Sequence, residues 1–275
     1  MDQNEQLVKS YLQRISNILL INGGYLGNPG LYSGEMGLVL FFFRYARFIE
    51  NELYSNYALN LFKKVTNSIY VNTPINYKQG ITGIGSAIEY LVQEGYLDFD
   101  TDELLEDFDD RIFSIPNLHP LSYEEIEGIG NYTIWRIKGS KSKKDFLLNT
   151  LLPPFIDGMD EWLTGRNLSN QTVSCISEMI RDENRMNLYD QPTFSISNRF
   201  DCWHNQYYPF TTTSEQLMER FIKKDIFNPN NLKFGFPDGL AATGMTFITE
   251  LTDDISWISL FPNDDISQNN ESIPV

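Results

Sequence analysis

The chain has 275 residues, and its 21 Lys and Arg against 37 Asp and Glu give a formal net charge of −16 at pH 7. This acidic balance argues against nucleic acid and anionic membranes as partners, because both require basic surface. Two cysteines form no visible disulfide framework, the N-terminus lacks an apolar signal-peptide region, and the longest apolar run, GLVLFFF, is too short to span a bilayer. We therefore expect a cytoplasmic protein without membrane insertion.

Helical periodicity dominates the chain from its start. Apolar residues at three-to-four spacing predict helices around Leu7–Leu19, Leu38–Ile49 and Leu59–Ile69, and then over about 84–95, 102–113, 123–137, 143–152, 170–182, 213–224 and 242–252. The one strand candidate is TFSIS at 193–197. The pattern predicts an all-α fold, with residues 1–261 as a single domain and residues 262–275 as a polar C-terminal tail.

Glycine-rich segments open four of the predicted helices. They read GEMG, GITGIG, EIEGIG and GLAATG, and they begin at residues 34, 80, 125 and 239. The first two separations are 46 and 45 residues, and the third, of 114, has room for two or more degenerate units. A unit of this length predicts a repeat architecture. A phosphate-binding loop is disfavoured, since no strand precedes Gly80 and no Gly-Lys-Ser/Thr follows it.

These segments carry a resemblance to a known family. SGEMGLVLFF, QGITGIGSAIEYL, IEGIGNYTIW and DGLAATGMTFI resemble the inner-helix starts of the lanthionine synthetase C-like (LanC-like) proteins. The resemblance implies an α/α toroid, here with fewer helix pairs than usual. It further implies a bacterial protein of lantibiotic biosynthesis, a family whose zinc-dependent enzymes close thioether rings in ribosomally made peptides.

The chain departs from this family at the zinc site. Aligning Gly239 with the glycine of the family's Cys-His-Gly motif places Pro237 and Asp238 where the cysteine and histidine should be. Proline cannot bind a metal, and a single carboxylate does not restore a sulfur-rich site. We therefore expect no zinc and no other cofactor, and a peptide-binding or accessory role in the maturation of a ribosomally made peptide.

A second interpretation keeps an enzyme. FDCWHNQYYPF at 200–210 places Cys202 and His204 two residues apart, beside Asp201, which could form a relocated zinc site or a nucleophile pair. A third ligand would have to be Cys175, His119 or a carboxylate. Because a lone Cys-x-His pair lacks the two ligand pairs usual for zinc, a structural aromatic loop is favoured here.

A run of acidic residues also resembles a metal site at first sight. Asp98, Asp100 and Asp102 have the spacing of a calcium loop, but Glu103 and Asp109 occupy the positions where an EF-hand requires Gly and Glu. The favoured interpretation is a helix start, with Asp100 or Thr101 as N-cap and acidic residues in the first turn.

The residues that flank the glycine segments give the candidate binding site. In a toroid these segments converge on one mouth, which predicts a peptide or small-molecule ligand there. The candidate substrate-binding residues are Tyr32, Glu35, Tyr77, Glu127 and Asp238. Glu35 and Glu127 could also serve as the carboxylate pair of a hydrolase, since glycosidases use opposed carboxylates. A solvated rim of helix caps is the structural alternative.

Overall fold

The described part of the chain is helical. The computed structural model describes residues 3–115, 117–140, 157–158, 227–229, 232–236 and 239–261, and these ranges contain no β-strand. The α-helices are α1 (Gln3–Asn22), α2 (Glu35–Ile49), α3 (Glu52–Asn67), α4 (Ile81–Gln93), α5 (Thr101–Leu104), α6 (Glu106–Phe113), α7 (Tyr123–Gly139) and α8 (Leu240–Thr252). Short 3₁₀ helices span Gly23–Tyr25 and Ser256–Leu260. The all-α prediction is confirmed at this level, and no helix in these ranges is long and apolar enough to cross a bilayer.

Several predicted helices differ in detail from the observed ones, and the largest difference is at α3, which was expected around Leu59–Ile69 but begins at Glu52. The helix expected over 102–113 is divided at Leu105, where the turn buries that side chain completely. The helix expected from residue 84 begins three residues earlier, at Ile81. The predicted helices at 143–152, 170–182 and 213–224, the strand candidate and the polar tail lie outside the described residues.

Helices α2 and α3 form an antiparallel pair. Glu50 adopts a left-handed conformation after α2, and the Asn51 side chain caps α3 by accepting a hydrogen bond from the Leu53 N–H. Aromatic contacts then join the helices, with Phe42 stacked on Tyr54 at 6.2 Å between ring centroids. This short connection forces α3 back along α2, so α3 covers one face of α2.

The loops before α2, α4 and α8 repeat one geometry. Their N-caps are all glycines in extended backbone, with φ between −97° and −113°. In each, the first helical N–H donates to the carbonyl seven residues earlier: Glu35 to Asn28 at 2.8 Å, Ile81 to Pro74 at 2.8 Å and Leu240 to Lys233 at 2.9 Å. A Cβ on any of the three N-cap glycines would collide with carbonyl oxygens of its own loop, so these positions require glycine because of close approach.

The third glycine segment lies differently along its helix. Helix α7 begins at Tyr123, and Ser122 and Glu125 form a capping box, so Glu125 lies in the first turn instead of at the helix start. Gly128 is nevertheless packed against the Tyr77 backbone, as Gly83 is on α4. The third glycine segment therefore packs as the second one does, although α7 begins about one turn earlier relative to its glycines than α4 does.

Four of these helices lie side by side in the order α8, α2, α4, α7. The Phe236 N–H donates to the Tyr32 carbonyl at 2.5 Å, and the Tyr32 N–H donates to the Lys78 carbonyl at 3.0 Å, which joins the three repeated loops. Farther along, Phe41 of α2 fills the space left by Gly244 of α8. Tyr132 of α7 fills the equivalent space beside Gly85 of α4.

The chain after α8 returns along one face of these helices. We call this face the inner face and define it by Arg44 on α2, Tyr90 on α4 and Thr249 on α8, each ten residues after its N-cap glycine. The inner face is directed away from α3, because α3 packs against the side of α2 that carries Phe42. Residues 254–261, the return segment, lie against the inner face.

Candidate functional site

A buried arginine lies at the centre of the inner face. Arg44 interrupts an otherwise apolar helix, and its side chain is only 1% exposed. Its Nη1 atom lies 2.9 Å from the Tyr90 hydroxyl, 3.1 Å from the Ser256 hydroxyl and 2.9 Å from an Asp254 carboxylate oxygen. Nη2 donates to the Asp254 carbonyl at 2.9 Å. The return segment thus presents a carboxylate, a hydroxyl and a carbonyl to one guanidinium.

The electrostatics of this site follow from burial and charge. Burial raises the pKa of Tyr90 to about 12, although the Arg44 charge opposes this shift. Burial also opposes ionisation of Asp254, but hydrogen bonding from Ser256 and the charge of Arg44 together lower the pKa of that carboxyl. At neutral pH the site therefore pairs a cation with an ionised carboxylate beside a neutral phenol.

Aromatic side chains hold the other end of the return segment. Phe261 stacks on Phe236 at 4.2 Å between ring centroids and meets the edge of Tyr32 at 5.3 Å. Trp257 is buried, and its indole N–H donates to the Thr249 hydroxyl at 2.8 Å. The segment is therefore held by an ion pair near the C-terminal ends of the helices and by aromatic packing near their N-terminal loops.

A second buried arginine binds three carboxylates. Arg136 of α7 contacts Glu89 of α4, Asp102 of α5 at 3.0 Å and Asp109 of α6 at 2.7 Å. Tyr132 donates its hydroxyl proton to Asp109 at 2.6 Å. Burial raises the pKa of Glu89 despite its contact with Arg136, and burial also raises the pKa of Tyr132.

This cluster has a structural role. Its members come from four helices, all are buried, and the arginine donates to every carboxylate. No group of three His, Cys, Asp or Glu side chains in the described ranges has a metal-binding arrangement. We therefore place the functional site at the inner face instead of at this cluster.

Of the sequence-predicted binding residues within the described ranges, Tyr32 and Tyr77 are in contact, whereas Glu35 is directed to α3. Glu35 is 2% exposed and is held by Lys64 of α3 at 2.5 Å, with the Gly27 N–H at 3.4 Å. Glu35 was predicted to bind substrate at the mouth, and the structure shows that the side chain of this first helical residue is buried and faces α3. The pairing of Glu35 with Glu127 as the carboxylates of a hydrolase stays a prediction.

Tyr32 and Tyr77 are both buried and contact each other edge to face at 6.4 Å. The Tyr77 hydroxyl has no hydrogen-bond partner among the described residues, and burial raises its pKa well above the usual value. Glu127 is half-buried, and its charge acts in the same direction on Tyr77. Of these three residues, Tyr32 makes the ring contact with Phe261 of the return segment.

The cysteine-containing candidates cannot be placed. Cys202, His204, Asp201 and Cys175 lie outside the described residues, as does Asp238. His119 is exposed, and its backbone N–H donates to the Asn117 side-chain oxygen at 2.8 Å.

The acidic run behaves as the helix-start interpretation predicted. The Asp100 side chain accepts a hydrogen bond from the Asp102 N–H at 2.9 Å, so Asp100 is the N-cap of α5. The Asp102 side chain is directed to Arg136. The N-cap prediction is confirmed, whereas the ion pair with Arg136 was not anticipated.

Sequence reasoning missed both buried arginines. The available signal was a charged residue within an otherwise apolar helical face, as in LVLFFFRYARF around Arg44. Such a residue must find partners when buried, so it marks a position where another element approaches. The partners themselves are distant in sequence, with Asp254 lying 210 residues after Arg44.

Comparison with known proteins adds no relative. No family model matches the chain, and neither the curated proteins nor the solved structures contain a match. The resemblance to LanC-like proteins therefore rests on the glycine segments quoted above.

Proposed function

We propose that the chain is a LanC-like α/α toroid without the family's zinc ligands. In this proposal it is a cytoplasmic, peptide-binding or accessory component in the maturation of a ribosomally made peptide. The repeated glycine-capped loops support the fold, since three of them share one backbone geometry and are joined by hydrogen bonds. The order α8, α2, α4, α7 places the last described inner helix beside the first, as a closed ring requires.

One observation carries the peptide-binding role. The inner face already holds a peptide segment of this chain, with Arg44 binding a carboxylate and with Tyr32 and Phe236 packing against an aromatic ring. Arginine and aromatic side chains are the residues that most often anchor bound peptides and proteins. A surface that binds one peptide segment by these contacts is suited to bind another of similar chemistry.

The test of this peptide-binding role begins by selecting peptide ligands. The purified full chain is panned against a phage-displayed library of random linear peptides, and enriched sequences are resynthesised for calorimetry. We expect binding that is lost in Arg44→Lys, because a lysine cannot reproduce the planar fork of the guanidinium. Arg47→Lys is the matched control, since Arg47 lies on the same helix but is exposed, with its guanidinium over the half-buried Tyr96 ring and donating to the Glu94 carbonyl.

Two results would contradict the proposal. One is the absence of any enriched peptide with measurable affinity both for the wild-type chain and for Asp254→Asn, which lacks the carboxylate that pairs with Arg44. The other is about one zinc per purified chain by elemental analysis, lost on Cys202→Ala, which would indicate the thioether-forming cyclase with its metal at Cys202 and His204.

A further inference from the structure

We propose that the return segment is an internal pseudo-ligand: it occupies the site of the peptide that the inner face binds. The segment's own sequence then gives the chemistry of that peptide: an acidic residue, an aromatic residue three positions later and a second aromatic residue seven positions later. In this chain these are Asp254, Trp257 and Phe261. The inference rests on the proposed function and specifies its ligand.

The first argument is the incomplete pairing of Arg44. Nη1 has three oxygens within 3.1 Å, more than its two protons can serve, while the buried Nε has no hydrogen-bond partner in the described part of the chain. Arginine binds carboxylates best when two of its nitrogens each donate to one oxygen. The guanidinium can therefore bind one more acceptor than the segment supplies.

The second argument is the way the segment is attached. It follows Asp253, which ends α8 in the left-handed conformation with φ 58°, and its first residues are partly exposed, with Ile255 at 49%. Only from Ser256 onwards do buried contacts with the inner face predominate. The segment is thus tethered at its solvent-facing end, where a competing peptide could begin to replace Asp254.

Tethering explains why the intact chain would bind such a peptide weakly. A covalently attached segment has an effective concentration of about millimolar at its own site, and a free peptide must compete against it. Weakening the segment should therefore increase the apparent affinity for a free peptide of the same sequence. If the segment were simply part of the core, weakening it would not increase the affinity for the free peptide.

The experiment measures fluorescence anisotropy of a labelled synthetic peptide, TDDISWISLFP, added to the full-length chain and its variants. We expect Trp257→Ala to bind this peptide about tenfold or more tightly than the wild-type chain, because truncating a buried tryptophan greatly weakens the internal segment. A peptide with alanine in place of its tryptophan should not bind. Phe42→Ala is the matched control, since it removes an equally buried ring on the α3 side.

A milder variant covers the case in which Trp257→Ala does not fold. Asp254→Asn removes only the charge on a partly exposed side chain and should also increase peptide affinity. The inference is refuted if folded variants of both kinds, checked by circular dichroism, bind the peptide no better than the wild-type chain. Library peptides that bind while TDDISWISLFP does not would overturn the pseudo-ligand and leave the proposed function intact. Binding of TDDISWISLFP with no library peptide enriched on the wild-type chain would support the pseudo-ligand, because the tethered segment would then block the library peptides. Failure of both TDDISWISLFP and the library to bind any folded variant would contradict the pseudo-ligand and the proposed function together.

Discussion

Replacing Arg136 by methionine should destabilise the fold more than any other single arginine substitution in the described ranges. Methionine retains the apolar stem but leaves the carboxylates of Glu89, Asp102 and Asp109 buried without their cation. Removing one partner of a buried ion pair costs roughly 3–5 kcal/mol, because the remaining charge is neither solvated nor paired. Against a typical stability of about 5–15 kcal/mol, this loss brings the variant close to unfolding.

The assay is urea unfolding at pH 7, followed by the helical circular dichroism signal. Arg47→Met is the matched control, since Arg47 is exposed and contacts only the Tyr96 ring and the Glu94 carbonyl. Its loss should cost about 1 kcal/mol or less. The two variants remove the same group, so their difference measures the buried cluster.

The same variant has a pH signature. Burial raises the pKa of Glu89 even in the presence of Arg136, and the variant lacks the positive charge that opposes this shift, so the folded variant binds more protons than the unfolded chain. Its stability should therefore rise as the pH falls from 7 towards 5, narrowing the deficit relative to the wild-type chain. A deficit below about 1 kcal/mol that does not change with pH would refute the assignment of Arg136 as the buried partner of three ionised carboxylates.

Three further predictions use the same unfolding assay. Burial raises the pKa of Glu89, so this carboxyl stabilises the fold fully only at a pH below its pKa in the unfolded chain. The unfolding free energy of the wild-type chain should therefore decrease relative to that of Glu89→Gln as the pH rises from 4 to 7. Unfolding free energies that change equally with pH in the two chains would contradict this. Gly83→Val should abolish folding, since a side chain there collides with the Tyr77 carbonyl, whereas Gly24→Ala, in open space, should be tolerated. Tyr77→Phe should be neutral or stabilising because its buried hydroxyl has no partner, while Tyr132→Phe should cost about 1–3 kcal/mol by removing the donor to Asp109.

Local signals account for the features that could be predicted from sequence. Apolar spacing locates α1, α2 and α3, although α3 begins well before Leu59. Helices α1 and α3 bury one face and expose the other, whereas α2 is buried on every side from Glu35 to Ala46. The N-cap at Asp100 follows from the chemistry of its own side chain and the next turn. The start of α7 at Tyr123 agrees with the helix predicted over about 123–137, and Ser122 and Glu125 have the spacing of a capping box.

The candidate site could not be predicted in the same way, because its partners are brought together only by packing. Glu35 follows a glycine that was expected at a mouth, and nothing in its local sequence indicates that Lys64 holds it on the opposite side of α2. Likewise, the pairing of Arg44 with Asp254 depends on the chain's return after α8. Such contacts link residues far apart in sequence and carry no periodic signal.

The two buried arginines occupy neighbouring positions of the repeat, but they differ in whether every guanidinium nitrogen has a hydrogen-bond partner. Arg136 donates from Nε and from both Nη atoms to carboxylates of three helices, so each of its nitrogens is paired. Arg44 contacts one carboxylate, supplied by a tethered segment, and leaves Nε unpaired. An arginine whose nitrogens are all paired links the helices that supply its partners, whereas one with an unpaired nitrogen can donate to a further acceptor. Under the proposed function, peptide recognition is assigned to Arg44 and the buried ion pairs of the fold to Arg136, and Arg44→Lys and Arg136→Met test these two assignments separately.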